Sequence, residues 1–561
     1  MKKTYKKFKH LVLGLGALAC ANSLSAEDAL VYDGEYDFLR MQYGEKWDKE
    51  DIQLDNKLDQ IRKSNKGKSP NIIYVLIDDV SYGLMGNRAM NFVTGIDTPN
   101  INKFAKQGMT LHRMYTEPSC TPTRTAFMTG RHPVRSGLKE VKVALVGEGL
   151  GTSEVTIAEV LKSAGYNTSH VGKWHMGDIE EAYPHNQGFD YAAFPLHQQV
   201  QLALMSPDSA RANNLFGYDR STQSNEYELD KKFRPSGLVT GVEAKRGGQA
   251  YEVDLKAGEQ WTQAHYIKMN HRYQRQALEQ IDSLAKKDKP FFFQYWPLWP
   301  LNFTHDGQAK SRNGGTMAEK LQQIDVWFGE ITKKVDDLGI ADNTMIVFMA
   351  DNGIMRHYSS TMSGLSQLIY RGGKTDHLEG GVRVDAFVRW PAGIKAGSEA
   401  GDIVHVSDLY TTFARVANAK KYIPRDRVID GVDQTALLLN GNHHGRRDYV
   451  YIYENEVLRS IVKQEFKMHL PPPGVPGAAA NTYNVLRDPR EENPHVGIPL
   501  WSGASFQDMA KRHMIKIMQY PHRPLGKGVP YSGIANLRPE SKETAATFAS
   551  WQPKMPPKAK K

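Results

Sequence analysis

Ile72 to Ile77 is an unbroken apolar run rich in β-branched residues, the pattern of a strand buried on both faces of a largely parallel sheet. Phe291 to Tyr295 and Met345 to Met349 repeat it, and between them Leu321, Ile324, Phe328, Ile331 and Val335 recur at helical spacing, which marks the core face of a long helix. Thr98-Pro99 reads as an N-cap and first-turn proline, followed by Ile101, Phe104 and Ala105 on one face and Gly108 as terminator. Thr156 and Glu159 form a capping box ahead of Ile157, Val160 and Leu161, and Gly165 closes that helix before a strand through His170 and Val171. This alternation predicts an α/β fold, a large mixed, mostly parallel sheet flanked by helices.

Past residue 440 the rhythm changes. Tyr449 to Tyr453, Val457 to Val462 and Phe466 to Leu470 are short apolar runs with short connections, which predicts a smaller C-terminal antiparallel-sheet domain. The expected division is a leader over 1–26, an N-terminal extension with some helix over 27–69, a catalytic domain over 70–440 and a C-terminal subdomain with its tail over 441–561.

The leader carries Lys2, Lys3, Lys6, Lys7 and Lys9, then the apolar run Leu11 to Ala19, then small residues to Ala26. That is the layout of a secretory signal, too short to span a membrane, so a periplasmic or secreted location is expected. Cleavage after Ala26 is the first reading; Ala17-Leu18-Ala19-Cys20 leaves open a cut before Cys20 or a lipoprotein site, and a membrane partner is expected only if Cys20 is lipidated. Of the net charge of +10, five lysines lie in the leader, leaving about +5 from Glu27 onward. This modest basicity suits an anionic substrate, though solvated lysine faces explain it equally well, and no nucleic-acid partner is expected.

The chain has two cysteines, Cys20 and Cys120. Without the leader Cys120 stands alone, unable to form an internal disulfide, and a lone thiol in an oxidising compartment needs a reason. It opens Cys120-Thr121-Pro122-Thr123-Arg124, continued by Thr129-Gly130-Arg131. Thr121-Pro122 reads as N-cap and first turn of a helix, setting Cys120 beside free N–H groups and partial positive charge that favour a bound oxyanion, with Arg124 a turn further on.

Two apolar strands end on oxygen donors, Asp78-Asp79 after the first and Asp351-Asn352 after that ending at Ala350. Each pair alone reads most simply as a turn. Together they offer three carboxylates and an amide, a hard donor set for Ca2+ or Mg2+ and not for zinc.

The Cys120 segment closely resembles the signature of type I sulfatases, arylsulfatase-like members of the alkaline phosphatase superfamily, in which that cysteine becomes formylglycine. Gly172-Lys173-Trp174-His175, Arg371-Gly372-Gly373-Lys374 and Glu379-Gly380-Gly381-Val382-Arg383 resemble further blocks of the family, in order from about Asn71 to Gly441. The resemblance implies a sulfuric ester hydrolase with an alkaline phosphatase-like fold. It implies Cys120 as nucleophile supported by Arg124, Lys173 and His175 on the sulfate, and Lys374 at the sulfate and leaving oxygen. It also implies one Ca2+ (Mg2+ being the other candidate) held by Asp78, Asp79, Asp351, Asn352 and the modified Cys120. A formylglycine-generating maturase follows as a partner, and an aryl, sugar or steroid sulfate as substrate. The aldehyde hydrate has an advantage over serine: one hydroxyl attacks sulfur, and the other later loses its proton and expels sulfate.

The chain departs from the pattern near Leu301, where the family usually supplies a histidine and this sequence reads Trp299-Pro300-Leu301-Asn302, with His305 arriving late and read as a surface loop residue. Two alternatives stand beside the sulfatase: a phosphodiesterase or phosphonate monoester hydrolase of the same superfamily, and a non-catalytic binder of sulfated glycans. The second leaves a set of charged residues without purpose, which is costly when they are buried.

Overall fold

The computed structural model describes residues 29–142, 146–196, 240–259, 261, 263–300, 316–354, 369–471, 474, 480–495 and 498–551. The leader, Leu301, Asn302 and His305 lie outside the described residues.

Among the described residues the apolar runs become neighbours in one mixed sheet of 11 strands. Thr344–Ala350, Asn71–Ile77, Phe291–Trp296, Asn167–Gly172 and Tyr191–Pro195 lie side by side and parallel. Antiparallel strands extend the sheet both ways, Ala386–Arg389 beside Thr344–Ala350 and Gly241–Lys245 beside Tyr191–Pro195. Every residue of Thr344–Ala350 and six of the seven in Asn71–Ile77 are buried, as continuous apolar strands covered on both faces must be.

Side chains alternate across a strand, so each face meets its own helices. Tyr74 packs on Phe127 of the helix Cys120–Thr129 and on Phe413 of the helix Asp408–Val416. On the other face Phe348 meets Phe328 of the helix Thr316–Asp337, which in turn packs on Phe104 of the helix Pro99–Gln107.

Val31–Tyr32 pairs with Val428–Ile429, and the helix Gly34–Ser64 follows it, packing against the helix Ile498–Gln519. Tyr449–Glu454, Val457–Lys463, Phe466–His469 and Asn481–Asn484 form a separate antiparallel sheet of 4 strands. Its Val450, Ile452 and Val462 pack against Tyr115, Val382 and Ile403 of the larger unit. Among the described residues no helix is long and apolar enough to cross a membrane.

Candidate active site

The site is built by strand register. Ile77 lies opposite Ala350, so the residues that follow, Asp78 and Asp351, leave the sheet together at its carboxyl edge, where open α/β sheets gather ligands. Gly172 lies opposite Trp296, and the backbone N–H of Lys173 donates to the Trp296 carbonyl at 2.7 Å. Lys173 thereby joins the same edge.

The helix Cys120–Thr129 points its first turn at this edge, and its N-cap is Ser119, two residues earlier than the Thr121 expected from sequence. Thr121 is otherwise engaged: its hydroxyl donates to the His175 carbonyl at 2.9 Å and accepts the Lys142 N–H at 3.2 Å. The shift makes Cys120 the first helical residue, where backbone N–H groups have no acceptor within the helix. Thr123 fixes the turn by a hydroxyl bond to the Asp351 carbonyl at 2.8 Å.

Asp78, Asp79, Cys120 and Asp351 offer ligand atoms all within 4.8 Å of one another. Arg124, fully buried, donates to Asp78 at 3.1 Å and Asp351 at 2.9 Å. Lys173 reaches both oxygens of Asp78 at 2.7 and 2.9 Å. Lys374 reaches both oxygens of Asp79 at 2.8 and 2.7 Å and stands 2.8 Å from Cys120 Sγ. His175, in the left-handed region at φ 63, donates its Nε2–H to the Lys142 carbonyl at 2.9 Å. Asp78, Asp79, Cys120, Arg124, Lys173, Asp351, Asn352 and Lys374 thus share one place, and His175 adjoins it through its carbonyl, bonded by Thr121.

Asn352 donates its amide N–H to Asp79 at 2.7 Å, and its buried Oδ1 has no hydrogen-bond partner. An unmet buried amide oxygen beside three carboxylates fits a hard divalent cation. Burial raises Asp351 above the ordinary carboxylate range, and Asp78 beside it adds to the rise. Burial acts on Asp78 in the same sense, but Lys173, Lys374 and Arg124 outweigh it and hold that carboxyl well below its usual value. Burial, then Asp78 and Asp79, pushes the Cys120 thiol well up, so the unmodified side chain is a poor nucleophile at neutral pH.

Sequence reasoning missed the floor of the site. The Arg124 guanidinium lies over Trp296 at 4.8 Å from the ring centroid, a contact that holds the cation where it faces the carboxylates. The indole could have been suspected only from its position at the end of the Phe291 strand. His170, fully buried, is structural: Nδ1 meets Gln294 and Nε2 the Gly172 carbonyl, and burial lowers its pKa to about 3.

Residues 70–419 match the Sulfatase family profile. Steryl-sulfatase of Rattus norvegicus is 29% identical over 507 residues, covering 76% of this chain and 85% of that protein. N-acetylgalactosamine-6-sulfatase of Mus musculus is 27% identical over 513 residues, covering 83% of this chain and 89% of that protein. The crystal structure of the PsFucS1 sulfatase from Pseudoalteromonas sp. superposes with a TM-score of 0.72 at 25% identity, over 85% of this chain and 96% of that one. Fold and site therefore define a hydrolase of the sulfate-ester class. The chain belongs to the Sulfatase family.

Proposed function

We propose that this sulfatase cleaves sulfate monoesters through a formylglycine made from Cys120 and a single divalent cation, Ca2+ in preference to Mg2+. The observation that carries the reading is the convergence of Asp78, Asp79, Asp351 and the unpartnered Asn352 Oδ1 on the first turn of the Cys120 helix. Those four side chains, with modified Cys120, would hold the cation, which supplies Lewis-acid charge to polarise the sulfate and acidify the adjacent hydroxyl. The aldehyde hydrate supplies one hydroxyl for attack on sulfur and a second whose deprotonation releases sulfate.

The chain's own residues do the rest. Arg124, anchored by two carboxylates and an indole, orients Asp78 and Asp351 and keeps both charged groups from facing an apolar interior alone. The Lys173 and Lys374 ammonium groups bracket the Cys120 side chain's surroundings and bind sulfate oxygens. Lys374, placed 2.8 Å from Sγ, is positioned to protonate the leaving oxygen. The first-turn N–H groups add partial positive charge toward the oxyanion. His175, with its Nε2–H committed to Lys142, would contact formylglycine or sulfate with the other ring nitrogen.

The alcohol is a sugar or a sterol, as the similarity to steryl-sulfatase and N-acetylgalactosamine-6-sulfatase supports. The Lys-rich leader supports export to the periplasm or beyond, with a maturase acting on the Cys120 segment before or during export. The test is peptide mass spectrometry of the tryptic fragment Met114 to Arg124 from protein coexpressed with a maturase, paired with rates on an aryl sulfate, a phosphate diester and a phosphonate. Formylglycine with the sulfate fastest supports the proposal. Unmodified cysteine in a fully active enzyme, or a diester or phosphonate turned over faster, overturns it.

A further inference from the structure

Three residues from three segments meet in the layer between the larger unit and the small sheet: Glu117, just ahead of the nucleophile, His132, just past its helix, and His405, at the end of the strand Ser398–His405. All three are buried, each 1% exposed or less, and each presents one ligand atom within 4.8 Å of the others. His132 Nδ1 lies 2.8 Å and His405 Nε2 3.7 Å from the same oxygen of Glu117.

His405 Nε2 is buried and makes no hydrogen bond. Its Nδ1 is met by Ser407, through Oγ at 2.8 Å and the backbone N–H at 3.3 Å. The Ser407 N–H contact is the longer one and requires a lone pair on Nδ1; in the other tautomer, which gives up that contact, Nδ1–H donates to the closer Ser407 Oγ and Nε2 presents a lone pair to Glu117 and His132. An outer hydrogen bond of this kind is what orients a metal-bound imidazole.

The surrounding charge is acidic. Glu117, Asp33, Asp430 and Asp408 are buried here with two arginines, Arg135 bound to Asp33 and Asp430 and Arg447 bound to Asp408, and with two imidazoles, His132 on Glu117 and His513 on Asp33. The four carboxylates outnumber the two guanidinium groups, and buried charge of one sign is costly unless imidazole protonation or a cation offsets it. A divalent ion does so with the imidazoles neutral.

We propose that Glu117, His132 and His405, with water as the fourth ligand, bind a second, structural metal ion, zinc by its donor set. Two imidazole nitrogens and one carboxylate suit Zn2+ and not Ca2+. Bonds of about 2.0–2.1 Å put tetrahedral ligand atoms about 3.3 Å apart, a spacing within reach of side-chain rotation from the one observed. The ion would tie together the loop before Cys120, the end of its helix and the strand ending at His405. Because the Thr123 hydroxyl, shared with the Asp351 carbonyl, also lies 3.0 Å from the Glu117 carbonyl, the helix that carries Cys120 would be braced from behind. Nothing in the proposal depends on turnover or on formylglycine.

The experiment uses the full chain with Cys120→Ser, to remove the thiol, saturated with calcium to fill the carboxylate site, then given equimolar zinc and desalted. Elemental analysis is expected to find one zinc per chain, with a higher thermal midpoint, and cobalt in its place should show the visible bands of a four-coordinate ion. In His405→Gln, bound zinc should fall at least about tenfold. No zinc retained by the calcium-saturated chain overturns the proposal without reference to any variant, and so does a full equivalent of zinc in folded His405→Gln.

Discussion

Cys120, Arg124 and the carboxylates work as one unit, since each depends on the others for its charge state or its position. Cys120 is fully buried at a helix start, and an alanine there loses only the sulfur. Cys120→Ala should therefore lower sulfate-ester turnover to the uncatalysed background while circular dichroism and the thermal midpoint stay within error; retained turnover would remove the nucleophile. Asp351→Ala deletes a central oxygen donor, and calcium affinity should fall at least about tenfold, about 1.4 kcal/mol, by isothermal titration. An unchanged affinity would place the cation elsewhere. These residues were legible in the sequence because they lie in short motifs with distinctive chemistry. Trp296 and Thr123 were not, because an indole floor and a hydroxyl clamp acquire meaning only when segments distant in sequence meet.

Strand ends do the positioning, and their order in the sheet brings together residues separated by hundreds of positions along the chain. Apolar runs and caps revealed the strands and several helices, and the capping box at Thr156 is present with both of its bonds. The N-cap of the Cys120 helix was misplaced because a threonine before proline is a good cap on local grounds. Here its hydroxyl is taken by His175 and Lys142, contacts no local pattern announces. Gly172 shows how tightly the strand ends are built. It adopts φ +109, and a Cβ there would stand 1.9 Å from the Trp296 carbonyl oxygen. Gly172→Ala must push apart the strands that bear Lys173 and Trp296, on top of the backbone strain. The expected result is a thermal midpoint lower by several degrees and a kcat lower by at least about tenfold. A wild-type midpoint and rate would show that the register at this edge is slack.

At the scale of the whole molecule, the small C-terminal sheet is joined to the catalytic unit by charge as well as apolar packing. The sequence pattern revealed the sheet but not its attachment. Lys467, fully buried, sits between Glu379 at 3.1 Å and Glu491 at 3.0 Å, and Glu491 also accepts the Glu379 N–H at 2.8 Å. Glu379 begins the Glu379-Gly380-Gly381 turn, and Gly380 packs its backbone against Arg371 and Gly372, just before Lys374. The docking site of the small sheet is thus continuous with an active-site loop. Lys467→Met removes the shared cation and leaves the buried Glu379 with Arg383 and the buried Glu491 with His469, a change of about 3–5 kcal/mol.

The pH dependence of stability should change sign with that substitution. Burial raises Glu491, but Lys467 and His469 outweigh it and hold the carboxyl below its usual 4.5. A depressed folded-state pKa gives stability that is complete above the unfolded value and lost as pH falls through the folded one. In the parent chain this contribution is therefore constant from neutral pH to about 4.5 and declines only in stronger acid. In Lys467→Met, burial, the largest influence on Glu491, is opposed only by His469 and the Glu379 N–H, and that carboxyl binds protons more readily folded than unfolded. The variant should then gain stability on acidification from about pH 7 to about pH 5, narrowing its deficit against the parent. Thermal midpoints of the two proteins across that range decide the matter. A deficit that stays constant would mean that the buried carboxylates find another cation or reach water, and that Lys467 does not fasten the sheet by charge.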